Sequence, residues 1–225
     1  MYTGKGQVVE LILENGFRHA RISCAVNLIP SPGQYLLAGS ASLSDPLPVS
    51  LFSTESTLKG FTACAPIPET WTPGTEISLR GPLGHGFALP PSARKVALVA
   101  FDDSPARLQE LMRKAMKQGA AITLVCDSNE NQLPNEVEVQ PLSALGEVVS
   151  WSDYTAFDVA RENLLELKQM FGGQNQMSVK GDAQVLVRTQ MPCGGIAECG
   201  VCAVTLQSNW KLPCKNGPVF DWGEF

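Results

Sequence analysis

Four cysteines toward the C-terminal end, Cys193, Cys199, Cys202 and Cys214, have the type and spacing to hold a metal centre. The segment reads Met191-Pro192-Cys193-Gly194-Gly195-Ile196-Ala197-Glu198-Cys199-Gly200-Val201-Cys202, and Cys214 follows Leu212-Pro213. Cluster iron is held by thiolates, so a loop must curl until three sulfurs face one small inorganic core. Gly194, Gly195 and Gly200 permit the left-handed backbone and close approach that this requires. Their N–H groups can donate to the sulfurs. The pattern is that of a plant-type [2Fe–2S] site, C-x4-C-x2-C with a distant fourth Cys, except that the first gap here holds five residues. Structural zinc and a [4Fe–4S] core would draw on the same thiolates. Zinc ribbons bring two short Cys knuckles, and Cys214 has no close partner in sequence, so [2Fe–2S] is the preferred assignment. Val201, Ala203, Val204 and Trp210 are expected to shield the centre, although such residues would pack in any case.

These cysteines need a scaffold, and the composition supplies one. Hydrophobic residues are 44% and charged residues 17% of 225, which fits two packed domains plus an appendage and not a disordered chain. The net charge of −5, with no Lys/Arg stripe, argues against nucleic acid as a partner. No apolar run reaches the ~20 residues of a membrane span. The start, Met1-Tyr2-Thr3-Gly4-Lys5-Gly6, has no apolar signal core, so a cytoplasmic location is expected. Cys24, Cys64 and Cys126 each stand alone in apolar stretches and read as inert core thiols.

The first part of the chain reads as all-β. Gln7 to Leu13 and His19 to Val26 alternate in part, and Ser31-Pro32-Gly33 and Thr72-Pro73-Gly74 are turn signals. Short strands at this spacing predict a small barrel. Beyond Pro90-Pro91 the texture changes. Val96 to Phe101 is a continuous apolar run, Ser104 to Lys117 is a helix with Leu108, Leu111, Met112 and Ala115 on one stripe, and Ile122 to Cys126 is the next strand. This is a β-α-β unit and implies a parallel sheet. Asn163 to Phe171 reads as a second helix with Leu164, Leu165, Leu167 and Met170 apolar, Gly172 to Gln176 as a loop, and Val185-Leu186-Val187 as the lead into the cysteine segment.

Barrel, nucleotide-type unit and four-Cys segment, in that order, resemble the electron-transfer subunit of class 1B dihydroorotate dehydrogenase, of the ferredoxin-reductase superfamily. The most specific stretches are the Cys segment with Lys215-Asn216-Gly217-Pro218-Val219-Phe220-Asp221, the turn Gly81-Pro82-Leu83-Gly84-His85-Gly86-Phe87, and Pro32-Gly33-Gln34-Tyr35. The resemblance implies a six-stranded antiparallel β-barrel of the FAD-domain type over 1–92. It implies a parallel-sheet α/β domain of the nucleotide-binding type over 93–187 and a [2Fe–2S] segment over 188–225. It further implies FAD between barrel and α/β domain. Electrons would pass through the cluster to FMN in a separate catalytic subunit, or in reverse to NAD, within a hetero-oligomer serving pyrimidine biosynthesis. By position, Pro48 and Ser50 fall in the family's flavin motif, and Phe52, Thr70, Gly84 and Gly86 are the further candidate flavin contacts.

Three departures qualify this. The flavin motif is Arg-Pro-Ile-Ser-like, but here the stretch is Asp45-Pro46-Leu47-Pro48-Val49-Ser50-Leu51, without the phosphate-binding Arg. The Gly-rich turn after the first nucleotide-domain strand is replaced by Ala100-Phe101-Asp102-Asp103-Ser104-Pro105. Asp102 and Asp103 suit helix capping. At ~5 Å and an effective dielectric near 20, each would repel a phosphate by roughly 3 kcal/mol per unit charge, and Phe101 would crowd the approach. The Cys-Gly-Pro nicotinamide motif would fall near Phe157 to Arg161 and is absent. The expectation is a redox relay with cluster and FAD but without the usual NAD site. The rivals are an ordinary NADH-linked subunit and a flavin-free iron–sulfur or zinc interaction module.

Other candidates are weaker. His85 reads as a turn histidine, His19 as a surface strand residue, and Glu162 with Glu166 as a solvated helix face. Asp127 to Asn131 reads as a polar loop. No Ser/His/Asp set, metal-ligating His pair or Walker loop is present, which leaves hydrolase and kinase readings without support.

Overall fold

Strands β1 (Tyr2–Glu14), β2 (Phe17–Cys24), β3 (Tyr35–Ser40), β4 (Val49–Thr57), β5 (Gly60–Cys64) and β6 (Glu76–Leu83) close an antiparallel barrel in the order β1-β2-β5-β4-β3-β6. The computed structural model describes residues 1–14, 16–41, 47–64, 66–102, 104–128, 133–172, 179, 181–207 and 209–225. Asp45, Pro46, Asp103, Asn129 to Asn131 and Gly173 to Gln176 lie outside the described residues. Alternation decides the barrel core. Val8, Ala20, Ile22, Leu36, Leu51, Phe61, Ile77 and Leu79 point inward with Trp71. Gly60 is obligatory at the tight entry to β5, because its φ is +148° and a Cβ there would strike the backbone of Ile22.

The expected β-α-β unit is present. β7 (Lys95–Ala100), α1 (Gln109–Lys117) and β8 (Ala121–Val125) are followed by β9 (Val137–Gln140), α2 (Leu145–Trp151), β10 (Tyr154–Ala160), α3 (Leu164–Gly172) and β11 (Asp182–Arg188). The remaining elements are the two-residue strands β12 (Val204–Thr205) and β13 (Trp210–Lys211), the turn of helix α4 (Pro213–Asn216), and β14 (Val219–Asp221). The six-stranded sheet runs β14-β11-β10-β7-β8-β9. Its strands pair in parallel except β14, which returns from the cysteine segment antiparallel to β11. The run in β7 is apolar throughout because both faces are covered. Val96, Leu98 and Ala100 pack with Leu108, Leu111, Met112 and Ala115 on one side. Ala97 and Val99 pack with Leu145, Val149, Leu164 and Leu167 on the other.

Several expectations change. Ser104, not Asp102, caps the helix after β7: its side chain accepts from the Ala106 N–H, and a 3-10 turn over Pro105–Leu108 precedes α1. Phe101 is buried in the sheet's second core and does not crowd the turn. Leu165 is solvent-exposed. His19 is not a surface residue. It is 5% exposed, because Gln109, Met112 and Arg113 of α1 roof its side of the barrel.

Burial lowers the His19 pKa from its ordinary 6.5, Glu14 opposes this and Arg107 adds to it. Arg21, Glu55 and Arg113 line the same small cavity. The folded state therefore prefers neutral imidazole. That stability is complete above pH 6.5 and is lost as pH falls below it. His19→Gln is expected to flatten the fall in unfolding free energy between neutral and mildly acidic pH, measured by urea unfolding across that range.

Candidate functional site

The cysteine loop is curled by residues that tolerate left-handed backbone. Gly194, Gly195, Ala197 and Gly200 all have φ between +65° and +71°. The Gly194 N–H closes a turn onto the Met191 carbonyl at 3.0 Å, and the Ala203 N–H closes another onto Gly200 at 3.0 Å. The loop turns its amides inward. Backbone N–H groups of Cys199, Glu198 and Ile196 lie close enough to the Cys193 sulfur to lower its pKa, and that of Ala197 acts in the same direction on Cys214.

The four sulfurs gather as two pairs. Cys199 is the side chain that acts most on the Cys193 thiol and Cys202 the one that acts most on the Cys214 thiol, with the charge of Cys193 also felt at Cys214. Cys199 is exposed and Cys193 half-buried, while Cys202 and Cys214 are buried. Burial opposes ionisation of Cys193, but the Cys199 thiol and the three N–H donors outweigh it and bring the pKa down to about 6. Cys214 is pushed up to about 12, by burial first and then by its contact with Cys202. Among the described residues no group of three His, Cys, Asp or Glu side chains is arranged to hold a metal ion. The arrangement is therefore two facing thiol pairs, one at the surface and one inside. Cys64 and Cys126 are buried as expected, donating weakly to the Phe52 and Ser128 carbonyls, whereas Cys24 is half-exposed on the barrel.

Each part of the scaffold grips this segment. From the barrel, Tyr35 donates to the Cys214 carbonyl at 3.1 Å, and Arg80 donates to the Gly194 carbonyl. Burial first, then the neighbouring Cys214 and Cys202, raise the Tyr35 pKa, so its hydroxyl stays a donor. From the 3-10 turn before α3, Arg161 donates to the Val201 carbonyl. His85 binds the Asn216 carbonyl through Nδ1 at 3.0 Å and the Gly217 carbonyl through its N–H at 2.6 Å. It is thus a clamp between barrel and cysteine segment. Val204 is buried below the loop, but Val201 and Trp210 are exposed and shield nothing. Tyr35→Phe is expected to cost about 1 kcal/mol of stability and to shorten the lifetime of any bound cluster in air, read by the decay of its visible absorption.

No one described cavity gathers the candidate flavin contacts. Pro48 lines a groove of about 440 Å³ with Leu47, Arg80, Cys193 and Gly194, and none of the other five lies in it. Ser50 is half-buried in β4, Phe52 is buried against Tyr35, and Thr70 is exposed in the loop after β5. Gly84 and Gly86 are closed off: a Cβ on Gly84 would meet Gly217 and Pro218, and one on Gly86 would meet the Pro32 carbonyl. Glu162 and Glu166 are exposed, as a solvated face requires.

At the carboxyl ends of the parallel strands, where open α/β sheets bind ligands, the chain places its own charges. Asp102 follows β7, Asp158 sits in β10, Arg188 ends β11 and Arg107 lies in the turn before α1. Asp158 accepts from Arg188 Nε at 2.8 Å and pairs with Arg107 at 3.4 Å. Asp102 pairs with Arg188 and accepts from the Ala160 N–H and the Asn163 side-chain amide, both at 2.8 Å. Among the described residues these ion pairs join two carboxylates to two guanidinium groups. Asp102 therefore acts as an internal anion at the β10–α3 turn and is not a bare charge facing outward, as the repulsion argument assumed. Sequence reasoning missed Asp158, Arg107 and Arg188. Their only early signal is charge inside otherwise apolar runs.

No protein-family model matches the chain. It is 25% identical, over an alignment 224 positions long that covers 86% of this chain and 86% of the other, to a Geobacillus dihydroorotate dehydrogenase B (NAD+) electron-transfer subunit. Among solved structures it resembles an NADH-dependent reduced ferredoxin-NADP oxidoreductase studied for flavin-based electron bifurcation. That match has a TM-score of 0.75 at 15% identity and covers 97% of this chain and 88% of that one. It also resembles the ferredoxin reductase of carbazole 1,9a-dioxygenase in an FAD apo form, with a TM-score of 0.61 at 14% identity, covering 77% and 64%. Identities this low in the solved structures establish the fold, a ferredoxin-reductase barrel joined to a parallel α/β sheet.

Proposed function

We propose, for a chain that is a divergent relative of the dihydroorotate dehydrogenase B electron-transfer subunits, that it relays electrons through a [2Fe–2S] cluster held by Cys193, Cys199, Cys202 and Cys214. The single observation that carries this is the pairing of the thiols. In a [2Fe–2S] core each iron takes two thiolates and shares two sulfides, so the donor set is two pairs and not four donors around one point. A mononuclear zinc site asks for four donors around one ion, which the two-pair arrangement does not favour.

The residues present fit such a core in charge as well. Inward N–H groups of Ile196, Glu198, Cys199 and Ala197 can stabilise negative sulfur. A bound core would take up and return one electron at a time. Tyr35, Arg80, Arg161 and His85 hold the loop against barrel and sheet, which keeps the ligands in place between turnovers. The exposed side, with Ile196 53% and Val201 43% exposed beside Cys199, is where a partner oxidoreductase subunit would approach. The partner class is a catalytic flavoprotein subunit of the dihydroorotate dehydrogenase kind, or another redox protein, in a hetero-oligomer.

Pyridine nucleotide is not expected to be the electron donor. The Gly-rich turn is missing, and Asp102 already takes the Ala160 N–H and the Asn163 amide. The test is reduction of the anaerobic protein followed by visible absorption. Dithionite is expected to bleach the cluster bands and NADH to leave them unchanged. Bleaching by NADH alone would contradict this reading.

A further inference from the structure

We infer that the cleft between barrel and α/β sheet is filled by the chain itself, plugged by Arg107, Asp158, Arg188 and Asp102 and strapped by α1, so that the protein holds no flavin. The inference goes beyond the proposed relay. It stands on barrel and sheet alone, independently of what the cysteines bind.

The plug reaches both walls of the cleft. Its carboxylates and guanidinium groups sit at the carboxyl ends of β7, β10 and β11, and the side chains of Arg107, Asp158, Arg188 and Asp102 are 8%, 1%, 18% and 11% exposed. On the barrel side, Arg107 is close enough to His19 of β2 to lower its pKa, and Arg188 is close enough to Cys64 of β5 to interact with it. No layer of ligand thickness separates the walls. One apolar core runs through the boundary, joining Phe52 and Cys64 of the barrel to Leu108 and Met112, and onward to Met191 and Cys214.

Helix α1 closes what the plug leaves. Arg113 donates to the Thr54 carbonyl and Ser56 donates to the Glu110 carboxylate, pinning the helix along β4. Phe52, Ser53 and Thr54 are buried beneath it. One cavity at this boundary, lined by His19, Arg21, Thr54, Thr62, Gln109 and Arg113 among others, is about 190 Å³. Ligand pockets begin near 300 Å³, and FAD is larger than a drug-sized ligand. Opening the cleft would require separating buried charges, which is strongly unfavourable. The absent Arg of the flavin motif is then a consequence of a filled site and not the only obstacle.

The test uses the full chain in two measurements. Flavin released on denaturing freshly purified protein is measured by fluorescence, and native protein is titrated with FAD while flavin fluorescence is followed. Neither flavin release nor saturable quenching is expected. Stoichiometric flavin in the purified protein, or saturable quenching on addition, would overturn the inference. Leu47→Arg restores a cation at the motif position and is still expected to bind no FAD. Tight FAD binding by that variant would overturn the plug, since charge alone would then have been the barrier. A preparation without flavin and without iron supports the plug while removing the cluster reading. Flavin together with iron does the reverse.

Discussion

Asp158→Asn is expected to remove about 3–5 kcal/mol of folding stability, the usual cost of leaving a buried charge without its partner. The Asp158 side chain is 1% exposed and carries both Arg107 and Arg188. Asn keeps the shape and accepts hydrogen bonds but supplies no counter-charge. Arg188 retains Asp102, and Arg107, 8% exposed, is the guanidinium that loses the Asp158 charge. Against a total of about 5–15 kcal/mol for a typical fold, the variant should be marginal at room temperature. Adding Arg107→Met to Asp158→Asn removes the guanidinium that lost this carboxylate and should recover at least about 1 kcal/mol, a coupling of the size contacting residues show. Urea unfolding of the wild type, the single variant and the double variant measures both quantities. A loss below about 1 kcal/mol in the single variant would mean that water solvates this cleft, and the plug would be untenable.

The second large effect concerns the ligands. Cys202→Ser and Cys214→Ser are expected to abolish the iron–sulfur absorption outright. These two form the buried pair, and a single lost thiolate there leaves one iron short of a donor. Cys24→Ser, Cys64→Ser and Cys126→Ser are expected to leave the spectrum unchanged, because none of those thiols is among the groups that act on Cys193 or Cys214. The comparison across all seven cysteines separates a site from a general thiol effect. A spectrum indifferent to Cys214 would remove the fourth ligand and with it the two-pair arrangement.

What could be read from the sequence follows the range over which each cause acts. The barrel and the β7–α1–β8 unit were legible because alternation and a 3.6-residue stripe are local signals: Leu108, Leu111, Met112 and Ala115 are buried as their spacing implied. The cysteine loop was legible for the same reason, since three of the four cysteines and the glycines lie within ten residues. Strand β10 was not legible. Asp158 interrupts its apolar pattern, and the partners that make a buried carboxylate tolerable, Arg107 and Arg188, are 51 and 30 residues away. His19 was misjudged because its burial comes from α1 of the other unit and not from the pattern of its own strand. The pairing of Cys202 with Cys214 needed the fold, because β12, β13 and α4 bring the last cysteine back to the loop.

Metal and sulfide analysis of protein purified without air, combined with its visible spectrum, tests the central claim most directly. Iron and acid-labile sulfide in equal amounts, with cluster bands that bleach in part on one-electron reduction, are the predicted result. Zinc as the bound metal, with no sulfide and no colour, would contradict it.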